Sequence, residues 1–223
     1  MPPAVDLRAA CPSVYDQGQL GSGTANGLAG AIECDQRTHG TKECTPSRLF
    51  IYDHERVIEG TVTQDTGAQV RDGITSVGTL GAPPEPDGPY EMKEFAGTPP
   101  SLAYAEAKLD RVSSYARVSQ HLMQRQGCLA EGSPVVFGFT VYESFESETV
   151  AETGRVPMPA PGEAVAGGHC VVAVGYDNAK RLFMIRNSWG ADWGMQGDGL
   201  MPDEYLLTAQ LASDCWTLRS VTG

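Results

Sequence analysis

Two residues in the second half of the chain are of the types that move a proton and steady the group that moves it. His169 sits in the run GGHCVVAVGYDN, and Asn187 in IRNSWGADWG. An imidazole can accept and return a proton near neutral pH, and a side-chain amide can fix its orientation. Both runs read as strands separated by a turn of Asp, Asn and Lys, so the two side chains can meet at one edge of a sheet. Trp189 follows closely and can shield the imidazole–amide bond from water. Taken singly, His169 reads as an ordinary hydrogen-bonded strand histidine and Asn187 as a turn residue. The pair becomes informative only with a nucleophile and oxyanion donors facing it. For thiol chemistry that means a helix N-terminus, where the dipole favours the thiolate.

The first half supplies such a helix. SGTANGLAGAIECDQR places Ala25, Leu28, Ala29 and Ile32 on one face, with Ser22 as the N-cap. TPSRLFIYDHERVIEG predicts a second helix with Pro46 near its first turn. TGAQVRDGITSVGTLG predicts a third, with Val70, Ile74, Val77 and Leu80 as its apolar stripe. Proline and glycine dominate residues 81–100, which read as irregular connection. A helical piece follows from Ala103 to about Asp110, and SQHLMQRQGCLAEG is a further helix. PVVFGFTVY, the two runs above and DCWTLRSV read as strands. Helices first and antiparallel strands second predict an α+β fold in two lobes.

With 223 residues, 41% of them hydrophobic, the chain can bury a sizeable core. No run approaches eighteen apolar residues, so no membrane partner is expected. The start MPPAVDLRAACP lacks the basic and apolar regions of an export signal, which predicts a cytoplasmic chain. The formal charge of −12, from 28 acidic and 16 basic residues, repels phosphate backbones and argues against a nucleic-acid partner. A monomer is expected. Six cysteines, at 11, 34, 44, 128, 170 and 215, form no CxxC pair and no Cys/His cluster at zinc spacing. Neither a metal nor another cofactor is therefore expected. Reduced, buried thiols are expected; Cys11 with Cys215, and Cys34 with Cys44, are the pairings to test.

In this order, DQGQLGSGTANG, GGHCVVAVGYDN and RNSWGADWGMQGDG resemble the three signature blocks of the papain family of cysteine peptidases, in the form of its bacterial branch. PSRLFIYDHERVIEG, GAQVRDGI, GSPVVFGFTVYESF and MPDEYL resemble the same branch, so the likeness spans nearly the whole chain. It implies one papain-like domain over residues 1–223. A helical lobe of approximately residues 12–115 would face an antiparallel, β-barrel-like lobe of residues 1–11 and 116–223, with the cleft between them. Carried over residue by residue, the resemblance implies that Gln17 donates to the oxyanion, His169 is the catalytic histidine, and Asn187 orients it. Trp189 would cover that pair, with Trp193 in the following turn. Gly67 matches a glycine whose backbone pairs with bound peptide. Gly168, with Gly167, would open the leaving-group side. The implied partner is a peptide or protein in the cleft. Met201, Tyr142 and Ala166 are expected to line the pocket for the residue preceding the scissile one.

The departures are as informative. The position matching the nucleophilic cysteine is Gly23, six residues after Gln17. Leu20 replaces the first cysteine of the usual CGSC, so the disulfide of secreted relatives is not implied. Cys170 cannot take over, because adjacent strand residues point to opposite faces. Cys34 lies roughly 16 Å along the helix, and Ser22 and Thr24 are each turned about 100° away. The N-terminus falls near the family's mature start, which implies no inhibitory pro-region. The family reaction is peptide hydrolysis through a thioester acyl-enzyme. This chain is expected to lack it, keeping only the Gly23 N–H for the oxyanion and an empty notch beside a well-held imidazole. Two readings stand level: a peptidase whose cysteine has been replaced, and a pseudopeptidase that binds peptides. The alternative is an enzyme repurposed to use Gln17, His169 and Asn187 for proton transfer on a non-peptide substrate.

Overall fold

The computed structural model describes residues 1–41 and 43–220. At its centre is α1 (Gly23–His39), in which every residue from Gly23 to Gln36 is buried. A helix enclosed on all sides needs small residues where neighbours approach closely. A Cβ on Gly27 would meet the Cys170 sulfur at 3.2 Å. The helix stops at Gly40, whose φ of 64° carries no Cβ penalty in glycine. Ser22 stands at the N-cap position, but its hydroxyl makes no capping bond. It accepts from Asn26 Nδ2 and bonds the Tyr90 hydroxyl instead.

The second helix, α2 (Arg48–Glu59), is capped by Ser47, whose hydroxyl accepts the Phe50 N–H. Pro46 directly precedes this cap, next to the first turn as its spacing predicts. α3 (Val70–Thr79) buries Val70, Ile74 and Val77 of the predicted stripe, while Leu80 falls at the C-cap just past its end and is only half-buried. Two short 3-10 turns punctuate residues 81–100 before α4 (Ser101–Ala107). α5 (Leu122–Ala130), α6 (Glu148–Thr153) and α7 (Asp203–Leu207) complete the helices among the described residues.

The strands are β1 (Ala4–Asp6), β2 (Val112–Arg117), β3 (Val135–Tyr142), β4 (Val165–Asp177), β5 (Leu182–Arg186), β6 (Asp198–Pro202) and β7 (Ala212–Ser220). They form one antiparallel sheet in the order β2-β7-β3-β4-β5-β6, with β1 also on β4. The sheet is open, which corrects the expected barrel-like form. α1 and α3 pack across β3, β4 and β7, holding that face as a platform. β2 begins at Val112, close to the approximate end of the expected helical lobe, and pairs with β7.

The two central strands are buried on both faces, and their period of two splits the core. Phe137, Phe139, Val171 and Ala173 join Phe183, Ile185 and Tyr205 on one side. Val136, Cys170, Val172 and Val174 join Leu28, Ile51 and Ile74 on the other. Each large side chain so enclosed adds about 1.5–3 kcal/mol. The same alternation sets His169 on the side opposite Cys170.

The cysteine pairing differs from expectation. Cys11 and Cys34 form a disulfide, while Cys128, Cys170 and Cys215 are free thiols. A 3-10 turn at Arg8–Ala10 lays Cys11 against the middle of α1, where Arg37 donates to its carbonyl. Cys215 is held in β7 beside Arg125, whose Nη2 lies 3.0 Å from its sulfur. No helix among the described residues is long and apolar enough to cross a membrane.

Candidate active site

His169 lies near the exposed start of β4, paired across the sheet with Phe139. Its Nε2 bonds Asn187 Oδ1 at 2.8 Å, and the same oxygen accepts the Ser188 N–H at 2.8 Å. The backbone donor fixes which end of the amide faces the ring. An amide oxygen only accepts, so Nε2 carries the hydrogen and the neutral ring presents Nδ1 as its lone pair. Trp189 stacks on the imidazole with centroids 4.8 Å apart, and Phe139 meets it edge-on at 5.8 Å. Burial lowers the ring's pKa from 6.5 to about 4, against the Asn187 bond, which raises it. The imidazole is therefore neutral at pH 7.

Gln17 is held from all sides. Its N–H donates to the Ser188 carbonyl at 2.9 Å, and Gly190 N donates to the Tyr15 carbonyl at 3.0 Å. Ser188 Oγ donates to Gln17 Oε1 at 2.6 Å, while Gln17 Nε2 donates to the Leu20 carbonyl at 2.9 Å. Tyr90 OH donates to the Gln17 carbonyl at 2.9 Å. The Arg48 guanidinium lies over the Tyr15 and Tyr90 rings, 4.4 and 4.1 Å from their centroids. Ser188 thus bonds both Gln17 and Asn187. Sequence reasoning gave it and Tyr90 no part; adjacency to Asn187 was the only signal for Ser188, and Tyr90 lies in the irregular connection.

Gly23 opens α1 opposite the imidazole. A Cβ placed there would lie 2.9 Å from His169 Nδ1, 3.0 Å from Cε1 and 3.5 Å from Gln17 Oε1. The notch expected beside the ring is therefore not empty. With no Cβ in the way, the ring sits against the helix start while keeping its Asn187 bond. Any side chain at position 23 requires the ring to move back.

Gln17, Gly23 and His169 line one cleft of about 620 Å³, with Gly67 and Gly168 in its wall. A Cβ on Gly168 would meet only the Phe139 carbonyl oxygen, at 3.9 Å, so glycine there leaves open space. Trp189 is not part of the wall; it packs against Phe145 and Trp193 behind the histidine. Met201, Tyr142 and Ala166 do not line the cleft either. Met201 is wholly buried in the sheet core, Tyr142 ends β3, and Ala166 lies on the exposed start of β4. The wall instead includes Glu59, Asp65 and Asp214, which no local pattern marks. Cys170 also touches the cleft, but burial pushes its thiol well above the usual range, so it is no thiolate source.

The family model for papain family cysteine proteases matches residues 1–204. The chain belongs to the papain family. An uncharacterized peptidase C1-like protein of Acanthamoeba polyphaga mimivirus is 40% identical over 219 residues, spanning 94% of this chain and 70% of its own length. Xylellain, a cysteine protease from Xylella fastidiosa, is 41% identical and superposes with a TM-score of 0.91, over 99% of this chain and 87% of that one. Digestive procathepsin L 3 of the Tenebrio molitor larval midgut shares the fold at a TM-score of 0.75 and 20% identity, over 98% of this chain and 70% of that one. In this papain-family chain an imidazole, its amide partner and a glutamine converge on a helix start that bears no side chain.

Proposed function

We propose that the chain holds peptides in its interlobe cleft and does not hydrolyse them. The observation that carries this reading is Gly23. The residue facing His169 Nδ1 has no atom beyond its backbone to attack a carbonyl, and no described cysteine takes its place. Without a thiolate there is no thioester, and His169 has no acyl-enzyme to resolve. In a comparable serine hydrolase, loss of the nucleophile costs about 10⁶ in turnover. The remaining parts are suited to holding. Gln17 has one amide hydrogen beyond its Leu20 bond, Gly23 keeps its N–H at the helix start, and Gly67 offers backbone along the wall. A peptide carbonyl seated at the first two would take the oxyanion position without being attacked.

The test compares the chain with its Gly23→Cys variant. Calorimetry should find peptides that bind the chain with micromolar Kd, a fluorogenic peptide should survive it, and a thiol-directed epoxide should leave it unlabelled. The variant should cleave and be labelled. Hydrolysis by the unaltered chain that disappears in His169→Ala would sink this reading, as would a folded Gly23→Cys variant that neither cleaves nor labels.

A further inference from the structure

We propose that a second cavity, between α2 and residues 88–100, takes a small arylalkyl amine, with the ammonium at the Asp53 carboxyl and the ring among Phe50, Phe95 and the neighbouring prolines. The site shares no wall residue with the peptide cleft and does not rest on the peptide-binding reading. Its form follows from the local sequence. GPYEMKEFAGTPP has glycine or proline at 88, 89, 97, 99 and 100, so it cannot continue as a helix or strand, and it makes one short turn at Met92–Glu94. The segment is pinned to α2 and its cap at two points. Ser47 Oγ donates to the Gly88 carbonyl, and Arg56 Nη2 donates to the Phe95 carbonyl at 2.6 Å. The space left between segment and helix is about 220 Å³.

Leu49, Phe50, Pro89, Phe95, Pro99 and Pro100 make most of the wall apolar, and Asp53 interrupts it. Asp53 is only 4% exposed, and its Oδ1 has no hydrogen-bond partner among the described residues. Its Oδ2 lies 3.6 Å from His54 Nδ1, but that nitrogen bonds the Phe50 carbonyl at 2.9 Å. Arg56 is committed as well: its guanidinium donates to the carbonyls of Tyr52, Val62, Gln64 and Phe95. No lysine or arginine stands in the wall, and its two exposed charged members, Glu91 and Glu94, are acidic. Burial raises the Asp53 carboxyl above its ordinary 3.8, against the pull of His54 and Arg56. A buried carboxyl oxygen with no donor is costly, and an arriving ammonium supplies both the missing bond and the missing charge. Phe50 is braced edge-on by Tyr104, with centroids 5.3 Å apart, which holds an aromatic face for the ligand's ring.

The experiment titrates the unaltered, isotope-labelled chain with phenethylamine, phenethyl alcohol and hydrocinnamate, which carry a cationic, a neutral and an anionic end on the same ring. Phenethylamine should bind with a millimolar Kd, about fivefold more tightly than the alcohol, with hydrocinnamate weakest, and added salt should narrow the gap. It should shift the amide resonances of Phe95, Gly97 and Thr98 and leave those of Gly67 and Gly168 in the peptide cleft unmoved. Asp53→Asn should lose the amine's advantage while binding the alcohol as before, with thermal melts to confirm that the variant folds. Equal binding of amine and alcohol by the unaltered chain overturns the proposal, whether or not the variant folds. A response confined to Gly67 and Gly168 overturns it too, as does an undiminished preference in folded Asp53→Asn.

Discussion

The two sides of the cleft contrast sharply. On the sheet side, Ser188 bonds Gln17 and Asn187, Asn187 bonds His169, and Trp189 stacks on the ring. On the helix side, α1 begins with a bare backbone at Gly23. The difference teaches that the positioning network does not depend on the group it serves in the family. Its stability comes from the strand pairing and aromatic packing of the β lobe. The cost of the missing side chain falls on one contact, the approach of the ring to the helix.

Restoring the helix side is the strongest way to break this contrast. Gly23→Cys should raise peptide turnover by up to about 10⁶-fold, once the ring has moved back to admit the side chain. Turnover at background in a folded variant would mean that the sheet side is not poised for this chemistry.

Next in size is the Cys11–Cys34 disulfide, which ties the segment leading to Gln17 onto α1 across 23 residues of sequence. Cys11→Ser should cost about 3 kcal/mol in urea unfolding. It should also loosen Gln17 more than His169, which hydrogen exchange at the Gln17 amide, donating to the Ser188 carbonyl, and at the Val171 amide in β4 would read. Uniform loosening would refute the view that the disulfide holds the Gln17 segment in particular.

The ring's protonation sharpens the comparison further. Its pKa in the fold, about 4, lies below its ordinary 6.5. The fold therefore favours the neutral ring. Its contribution is complete above pH 6.5 and is lost as pH falls towards 4. A shift from 6.5 to about 4 corresponds to at most about 3 kcal/mol, which access to solvent at the cleft reduces to about 1–2 kcal/mol. Unfolding midpoints at pH 7 and pH 4 should converge for His169→Asn relative to the unaltered chain. Parallel pH slopes would contradict a neutral ring. In Gly23→Cys a facing thiolate should favour the charged ring and flatten this acid loss.

The smallest effect is expected on the helix side itself. Glu55 is fully buried beneath Thr24, whose hydroxyl donates to its Oε2 at 2.7 Å, while its Oε1 has no hydrogen-bond partner. Burial pushes this carboxyl well above its ordinary 4.5. The fold thus favours the protonated form, and the stability it contributes is lost as pH rises through the folded pKa. Glu55→Gln should raise stability at pH 8 by about 1 kcal/mol and by less at pH 5. Equal gains at both values would show that the carboxyl is not held neutral.

Much of this molecule was legible in one dimension. α1, α2 and α3 showed a helical period, and β3, β4 and β5 showed β-branched and aromatic runs bounded by turns. Gln17, His169 and Asn187 stood out because three motif blocks fell in order. β1, β6 and α7 were not legible, since these short elements lack the run of β-branched and aromatic residues that marks the equally short β5 and exist only through their partners. β2 was not legible for the same reason, being a strand by virtue of β7.

Amino-acid order alone determined that no thiol stands six residues after Gln17, and that His169 and Cys170 face opposite ways, because side-chain type and the period of two are local properties. Tertiary structure alone decided that Cys34 pairs with Cys11, that the imidazole leans into the space Gly23 leaves, and that three acids from distant segments share one wall. Those are distances between elements far apart in the chain, and they are set by how the helices pack on the sheet.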